Sequence, residues 1–186
     1  MFAHLLDLEK PLYLTIDDLL SPEECAALIA RVEAEGPQIA PISRASGAVV
    51  DLATRNNTRV LFDDPVLARL LFERARPRLP NVLQGMVAVA ANERLRAYRY
   101  REGQRFRPHY DGAFVRSESE RSQLTFMIYL NEGFQGGETA LLDLGVTVKP
   151  RVGMALLFQH AILHEGCEVT AGVKYALRSD IMYRRV

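Results

Sequence analysis

Apolar residues recur at helical spacing in two stretches of the first half of the chain, and then give way to short alternating runs. In LSPEECAALIARVEAEG, Leu28, Ile29 and Val32 mark one face of a helix. Ser21 stands where a cap is needed, Glu24 three residues later completes a capping box, Pro22 suits the first turn and Gly36 stops the helix. A second helix is predicted over residues 64–76, with Leu67, Leu70, Leu71 and Ala75 on one face and Pro77 and Pro80 closing it. Strands are predicted at Leu12 to Thr15 and at Thr58 to Phe62. The intervening PISRASGAVVDLATRNNTRV has no steady period, and its segment from Ser43 to Asn57 is expected to form a loop able to close over a site.

From Arg94 onward the pattern changes to runs rich in Val, Ile, Tyr, Phe and Thr, punctuated by EGQ, NEGFQGG, PRVG and TAGV. Strands are predicted near Arg94 to Tyr100, Gln123 to Leu130, Glu138 to Leu142, Val146 to Lys149, Gly153 to Phe158, Cys167 to Val169 and Val173 to Tyr183. This is the rhythm of a β-barrel or sandwich, so the fold expected is mainly β with supporting helices (α+β).

The 186 residues, 48% of them hydrophobic, suffice for one substantial core and predict a single domain over 1–186. Residues 1–90 would form the helical support and lid region, and 91–186 the core that carries the site. Lys plus Arg and Asp plus Glu are equal at 23 each, which gives no global field for nucleic acid or an anionic membrane. No apolar run approaches the ~20 residues needed to span a bilayer, and Asp7, Glu9 and Lys10 interrupt the opening segment. A soluble cytoplasmic protein is expected. Cys25 and Cys167 lie far apart with no C-x-x-C spacing and read as ordinary thiols.

The candidate chemistry lies in HYD, residues 109–111, and in LHEG some fifty residues later. On an extended segment His109 and Asp111 point to the same face and can share one ion. His164 from another strand would complete one triangular face of an octahedral metal, with three positions open, an arrangement that favours non-haem Fe(II). A structural zinc site would be closed by four ligands. His160, four residues before His164, is the competing third ligand. Taken alone, an H-x-D pair is a weak signal, because it often serves as a surface hydrogen-bonding pair. In GVKYALRSDIMYRR, Lys174, Ala176, Arg178 and Asp180 share one face. Two cations there suit an anionic co-substrate, or else protect a solvated sheet edge.

The segments LSPEEC, LRAYRYREGQRFRPHYDG, LTFMIYLNEGFQGGET and GMALLFQHAILHEGCEVTAGVKYALRSDIMY occur in an order that resembles the prolyl 4-hydroxylase-like family of Fe(II)/2-oxoglutarate dioxygenases over most of the chain. The resemblance implies a double-stranded β-helix core of the jelly-roll or cupin type, with iron held by His109, Asp111 and His164. It implies Lys174, ten positions past His164, as the residue that binds the far carboxylate of 2-oxoglutarate, with Arg178 sharing or taking over that role. Tyr100 and Tyr98 are implied as co-substrate contacts and Thr139 as a pocket wall. Dioxygen is the implied second co-substrate, and ascorbate the implied reductant. The resemblance makes a prolyl residue of a protein or peptide the leading acceptor for hydroxylation, and a free amino acid or small metabolite the alternative. Nucleic acid and membrane partners are not expected. The peptide-binding domains of collagen-type relatives have no counterpart in the sequence given. The reading from a different class is a non-catalytic β-barrel that binds a metal or organic acid.

Overall fold

The computed structural model describes residues 5–44 and 47–185. Ala45 and Ser46, in the expected covering loop, lie outside the described residues. The first half contains β1 (Tyr13–Ile16), α1 (Pro22–Glu35), β2 (Gln38–Ile39), β3 (Ile42–Arg44), β4 (Gly47–Val49), β5 (Thr58–Asp63), α2 (Pro65–Ala75), β6 (Val82–Leu83) and β7 (Met86–Ala91). The second half is β8 (Arg94–Arg101), β9 (Phe106–His109), β10 (Glu120–Tyr129), β11 (Gln135–Gly136), β12 (Thr139–Leu141), β13 (Val146–Val148), β14 (Ala155–Gln159), β15 (His164–Gly166), β16 (Val169–Ala171) and β17 (Val173–Arg185).

Both helices begin where the sequence places their caps. Ser21 Oγ accepts from the Glu24 amide at 3.2 Å while the Glu24 carboxylate accepts from the Ser21 amide at 2.8 Å. Gly36 ends α1 with φ at 69°, a left-handed conformation that suits glycine. Asp64 caps α2 by accepting from the Leu67 amide. Arg74 of α2 grips Glu24 of α1 with two hydrogen bonds of 2.7 and 2.8 Å, which joins the helices into one layer.

That layer covers the outer face of a large antiparallel sheet with strand order β1-β14-β10-β17-β8-β5-β2. Strand alternation sends Leu95, Ala97, Phe126, Ile128, Leu157 and Leu177 outward, where they pack with Val32, Leu71 and Phe72 of the helices. Each fully buried side chain of this size contributes about 1.5–3 kcal/mol. A second sheet, β13-β12-β15-β9, faces the inner side. Tyr129, Leu141, Leu156, Phe158, Ile162 and Ala176 close the space between the two sheets at one end. The chain therefore forms the expected double-stranded β-helix with a helical support. No helix among the described residues is long and apolar enough to cross a membrane.

Three local features depart from expectation. β7 was not predicted, because the short apolar run MVAVAA carries no distinguishing period. It forms because Gln84 and Gly85, with φ of 49° and 70°, make a tight turn from β6, and because the far half of β17 offers it an edge. The strand expected at Cys167 to Val169 is instead divided between β15 and β16 on either side. The segment expected as a loop from Ser43 to Asn57 begins as a small hairpin, β3 with β4. Cys25 is buried and Cys167 half-buried, and both are free thiols.

Candidate active site

β9 and β15 pair so that His109 and His164 are direct neighbours across the ladder. Asp111 follows β9 by two residues and is anchored through its amide to the His160 carbonyl at 3.3 Å. One ligand atom from each of His109, Asp111 and His164 lies within 4.8 Å of the others. The two Nε2 atoms stand 3.8 and 3.4 Å from the Asp111 carboxylate oxygens. Each Nδ1 is bonded to a main-chain carbonyl, His109 to Arg107 at 2.8 Å and His164 to Ile162 at 2.9 Å. A carbonyl can only accept, so the proton sits on Nδ1 and the Nε2 lone pair faces the carboxylate.

Burial holds both rings neutral: it pushes the His109 pKa down to about 3, aided by neighbouring His164, and lowers that of His164. Burial opposes ionisation of Asp111, yet the Arg178 guanidinium overcomes it and leaves the carboxyl well below its usual range. Two lone pairs and an anion thus converge on one point. A cation there relieves their mutual repulsion, so this donor set fits a divalent metal of the Fe(II) type.

The walls fix the ligand orientation. Phe106 stacks on His109 with ring centroids 3.5 Å apart, and the Phe158 ring meets His164 edge-on at 4.5 Å. Thr125 Oγ1 donates to Asp111 at 2.6 Å, and Arg178 pairs with the same carboxylate at 2.9 Å. His160 sits outside the three-residue cluster, bonded to Ser122 Oγ at 2.8 Å and Thr125 Oγ1 at 2.9 Å. It supports Thr125 and thereby the Asp111 carboxylate.

Tyr98, Tyr100, Thr139, Lys174 and Arg178 line the same cleft as the cluster. Lys174 pairs across the ladder with Tyr100, and Arg178 with Arg96 four residues along β17. Lys174 Nζ is buried between the Tyr100 and Tyr129 rings, at 5.2 and 5.4 Å from their centroids, and donates to the Gly137 carbonyl at 2.6 Å. Among the described residues no carboxylate lies within ion-pair distance of it, and burial brings its pKa down to about 8. Tyr129 donates to Thr139 Oγ1 at 2.7 Å on the same wall. Arg178 is engaged differently, held by Asp111 and by Asp180 at 3.2 Å.

Sequence reading missed Thr125, Phe106, Phe158 and Arg55. Thr125 could have been found, since it shares the inward face of its strand with Met127 and Tyr129; the two phenylalanines are indistinguishable from core residues until the strands are paired. The Arg55 guanidinium lies 4.5 Å from the Tyr98 ring centroid and 4.3 Å from that of Phe106.

Residues 95–179, which hold the whole cluster, match the family model described as the 2OG-Fe(II) oxygenase superfamily. The chain is 26% identical to prolyl 4-hydroxylase 1 of Arabidopsis thaliana over 197 residues, covering 90% of this chain and 67% of that protein. Solved structures share its fold. The viral collagen prolyl hydroxylase of Paramecium bursaria Chlorella virus-1, as its 2OG complex, has a TM-score of 0.63 and 22% identity, covering 94% of this chain and 97% of that one. A Pseudomonas putida prolyl-4-hydroxylase gives 0.66 and 22% over 96% of both chains. A Trichoplax adhaerens prolyl hydroxylase bound to a peptide of the hypoxia inducible factor oxygen degradation domain gives 0.69 and 15%, over 94% and 84%. The segment 95–179, with the His109–Asp111–His164 cluster inside it, is similar to the 2OG-Fe(II) oxygenase superfamily.

Proposed function

We propose that the protein hydroxylates a prolyl residue of a protein or peptide, with His109, Asp111 and His164 holding Fe(II) and Lys174 binding the far carboxylate of 2-oxoglutarate. The observation that carries this reading is the buried Lys174 ammonium, without a carboxylate partner among the described residues, in the same cleft as three converging ligand atoms. A buried cation calls for an anion, and a dicarboxylate supplies one through a charge-assisted hydrogen bond. When bound, Fe(II) with 2-oxoglutarate and dioxygen supplies the oxidising power for hydroxylation of an unactivated C–H bond, with release of succinate and carbon dioxide.

The chain's own residues prepare that chemistry. The Arg107 and Ile162 carbonyls fix the imidazole tautomers. Arg178 and Thr125 hold Asp111 ionised and oriented. In this reading Arg178 is a positioning residue for Asp111, and Lys174 alone is the anchor. Tyr100 and Thr139 shape the co-substrate end of the cleft, and Tyr98 stands between it and the acceptor side. The prolyl acceptor rests on the relatives: Arabidopsis proteins named prolyl 4-hydroxylase 1 and probable prolyl 4-hydroxylase 3, and a prolyl hydroxylase of like fold bound to a peptide. With Cys25 and Cys167 as free thiols, a cytoplasmic setting remains part of the proposal.

The test is succinate formation from 2-oxoglutarate by the Fe(II)-loaded protein, with and without a proline-rich peptide. Formation that the peptide stimulates, and that His164→Ala abolishes, is expected. Folded, iron-loaded protein that makes no succinate would favour the non-catalytic binding module.

A further inference from the structure

On the side of the cluster away from Lys174 lies a second cavity of about 440 Å³, within the usual range for small-ligand sites, whose wall includes His109 and Asp111. Four arginines line it, Arg55, Arg59, Arg96 and Arg178, against two carboxylates, Asp111 and Asp180. Both carboxylates are engaged. Asp111 pairs with Arg178, and Asp180 is shared between Arg178 and Arg96 at 3.2 and 3.3 Å. Among the described residues no carboxylate lies within ion-pair distance of Arg55 or Arg59.

Arg55 is the more unusual of these two. It is only 4% exposed, its guanidinium is sandwiched between Tyr98 and Phe106, and its Nε donates to the buried Asn57 at 2.7 Å. The guanidinium also interacts with the Tyr98 and Tyr100 hydroxyls, but Nη2 has no hydrogen-bond partner. A buried cation left in this state is costly unless an anion answers it. Phe106, which Arg55 covers, is itself stacked on His109, so the charge stands one ring away from the metal site. Arg59 is half-buried and pairs with Tyr98 across the β5–β8 ladder; Arg96, two residues before Tyr98 on β8, is half-buried too. These two present donors to the cavity, and Arg55 adds charge in its wall.

2-Oxoglutarate does not account for these cations. Lys174 and the ladder position of Arg96 are four residues apart along the sheet, roughly 13 Å at the usual rise of a strand. A five-carbon diacid chelated at the cluster and anchored at Lys174 points away from Arg59 and Arg96.

We propose that this cavity is the acceptor site and that it selects an acceptor bearing a carboxylate close to the carbon that is hydroxylated. The inference rests on the hydroxylase reading above and narrows its substrate class. Two sources share this chemistry: an acidic residue beside proline in a peptide, and the carboxylate of a free imino acid. Arg59 and Arg96 receive the carboxylate, and the His109–Asp111 edge of the cavity receives the C–H group.

The experiment is calorimetric titration of the anaerobic Fe(II)–2-oxoglutarate complex with matched pairs. They are blocked peptides with Asp on either side of proline against their Asn counterparts, and L-proline against L-prolinamide. The acidic member of at least one pair is expected to bind tenfold or more tightly. That preference should fall below about threefold in Arg59→Gln and in Arg96→Gln, with a thermal melt checking that each variant is folded. Preference within the peptide pairs assigns a peptide source; preference confined to proline assigns a free acid. Equal binding within every pair, or no binding by any of the compounds, overturns the inference. Uncoupled succinate formation by the wild type tests the hydroxylase reading separately, so the two can fail independently.

Discussion

The two faces of the large sheet are made by the same strands and do opposite work. Along β17, Leu177 and Ile181 turn outward into the helix-backed core, while Lys174, Ala176, Arg178 and Asp180 turn inward to the clefts. β10 divides likewise, with Phe126 and Ile128 outward and Thr125 toward Asp111. The outer face is dry and apolar and stabilises the fold through area removed from water. Buried charge on the inner face contributes little net stability, and in the proposed function it serves binding. A period of two residues lets one strand serve both ends, so substitutions on the two faces should separate cleanly.

The largest effect expected is on the inner face. His164→Ala removes one of two neutral imidazoles and should abolish iron-dependent succinate formation, while its thermal melt stays near that of the wild type. On the outer face, Leu177→Ala should cost about 2–5 kcal/mol in chemical denaturation and leave the affinity of the surviving folded protein for 2-oxoglutarate unchanged. A change in that affinity would break the division of labour. Thr125→Val, which deletes the 2.6 Å bond to Asp111, should weaken metal binding about 10–100-fold in a competitive chelator titration.

The pH dependence of co-substrate binding sharpens the same contrast. Burial lowers Lys174 from 10.5 to about 8, so in the folded protein its proton, and with it the anchor's charge, is lost as pH rises through about 8. The Kd for 2-oxoglutarate should be flat below that pH and rise toward tenfold per unit above it, and Lys174→Ala should flatten the profile. The smallest effect belongs to the helical layer. Hydrogen bonds from Arg74 and from the Ser21 amide depress Glu24 to about 2. Its stabilisation is present above the unfolded value of about 4.3 and lost as pH falls through about 2. Both side chains of the Glu24–Arg74 pair are more than a third exposed, so solvent screening keeps this below about 1 kcal/mol. Glu24→Gln should slightly flatten acid denaturation in that window.

Much of this division is legible in the residues themselves. The cap at Ser21, the stop at Gly36 and the strict alternation from Lys174 to Asp180 are local signals, and the structure follows them. Of the face predicted for the helix over 64–76, Leu71 and Ala75 are fully buried and Leu67 and Leu70 half-buried, with Ala68 and Phe72 completing the buried stripe. The spacing of the histidines did not by itself choose between His160 and His164. Strand pairing does, because only His164 lies opposite His109. The arginine cavity was not legible either, since Arg55 and Arg59 meet Arg96 only through β5 pairing with β8 and the contact of Arg55 with Phe106. Residues whose role depends on a partner distant in sequence leave no periodic trace.

In the proposed function the inner face binds 2-oxoglutarate between the His109–Asp111–His164 cluster and Lys174. Anaerobic titration of the Fe(II)-loaded protein with 2-oxoglutarate tests it most directly, through the weak visible charge-transfer band of the chelate. A saturable band is expected in the wild type, none in His164→Ala, and a shift of about 10–100-fold to higher 2-oxoglutarate in Lys174→Ala. Absence of the band in folded, iron-loaded wild type, or an unshifted titration in Lys174→Ala, would contradict it.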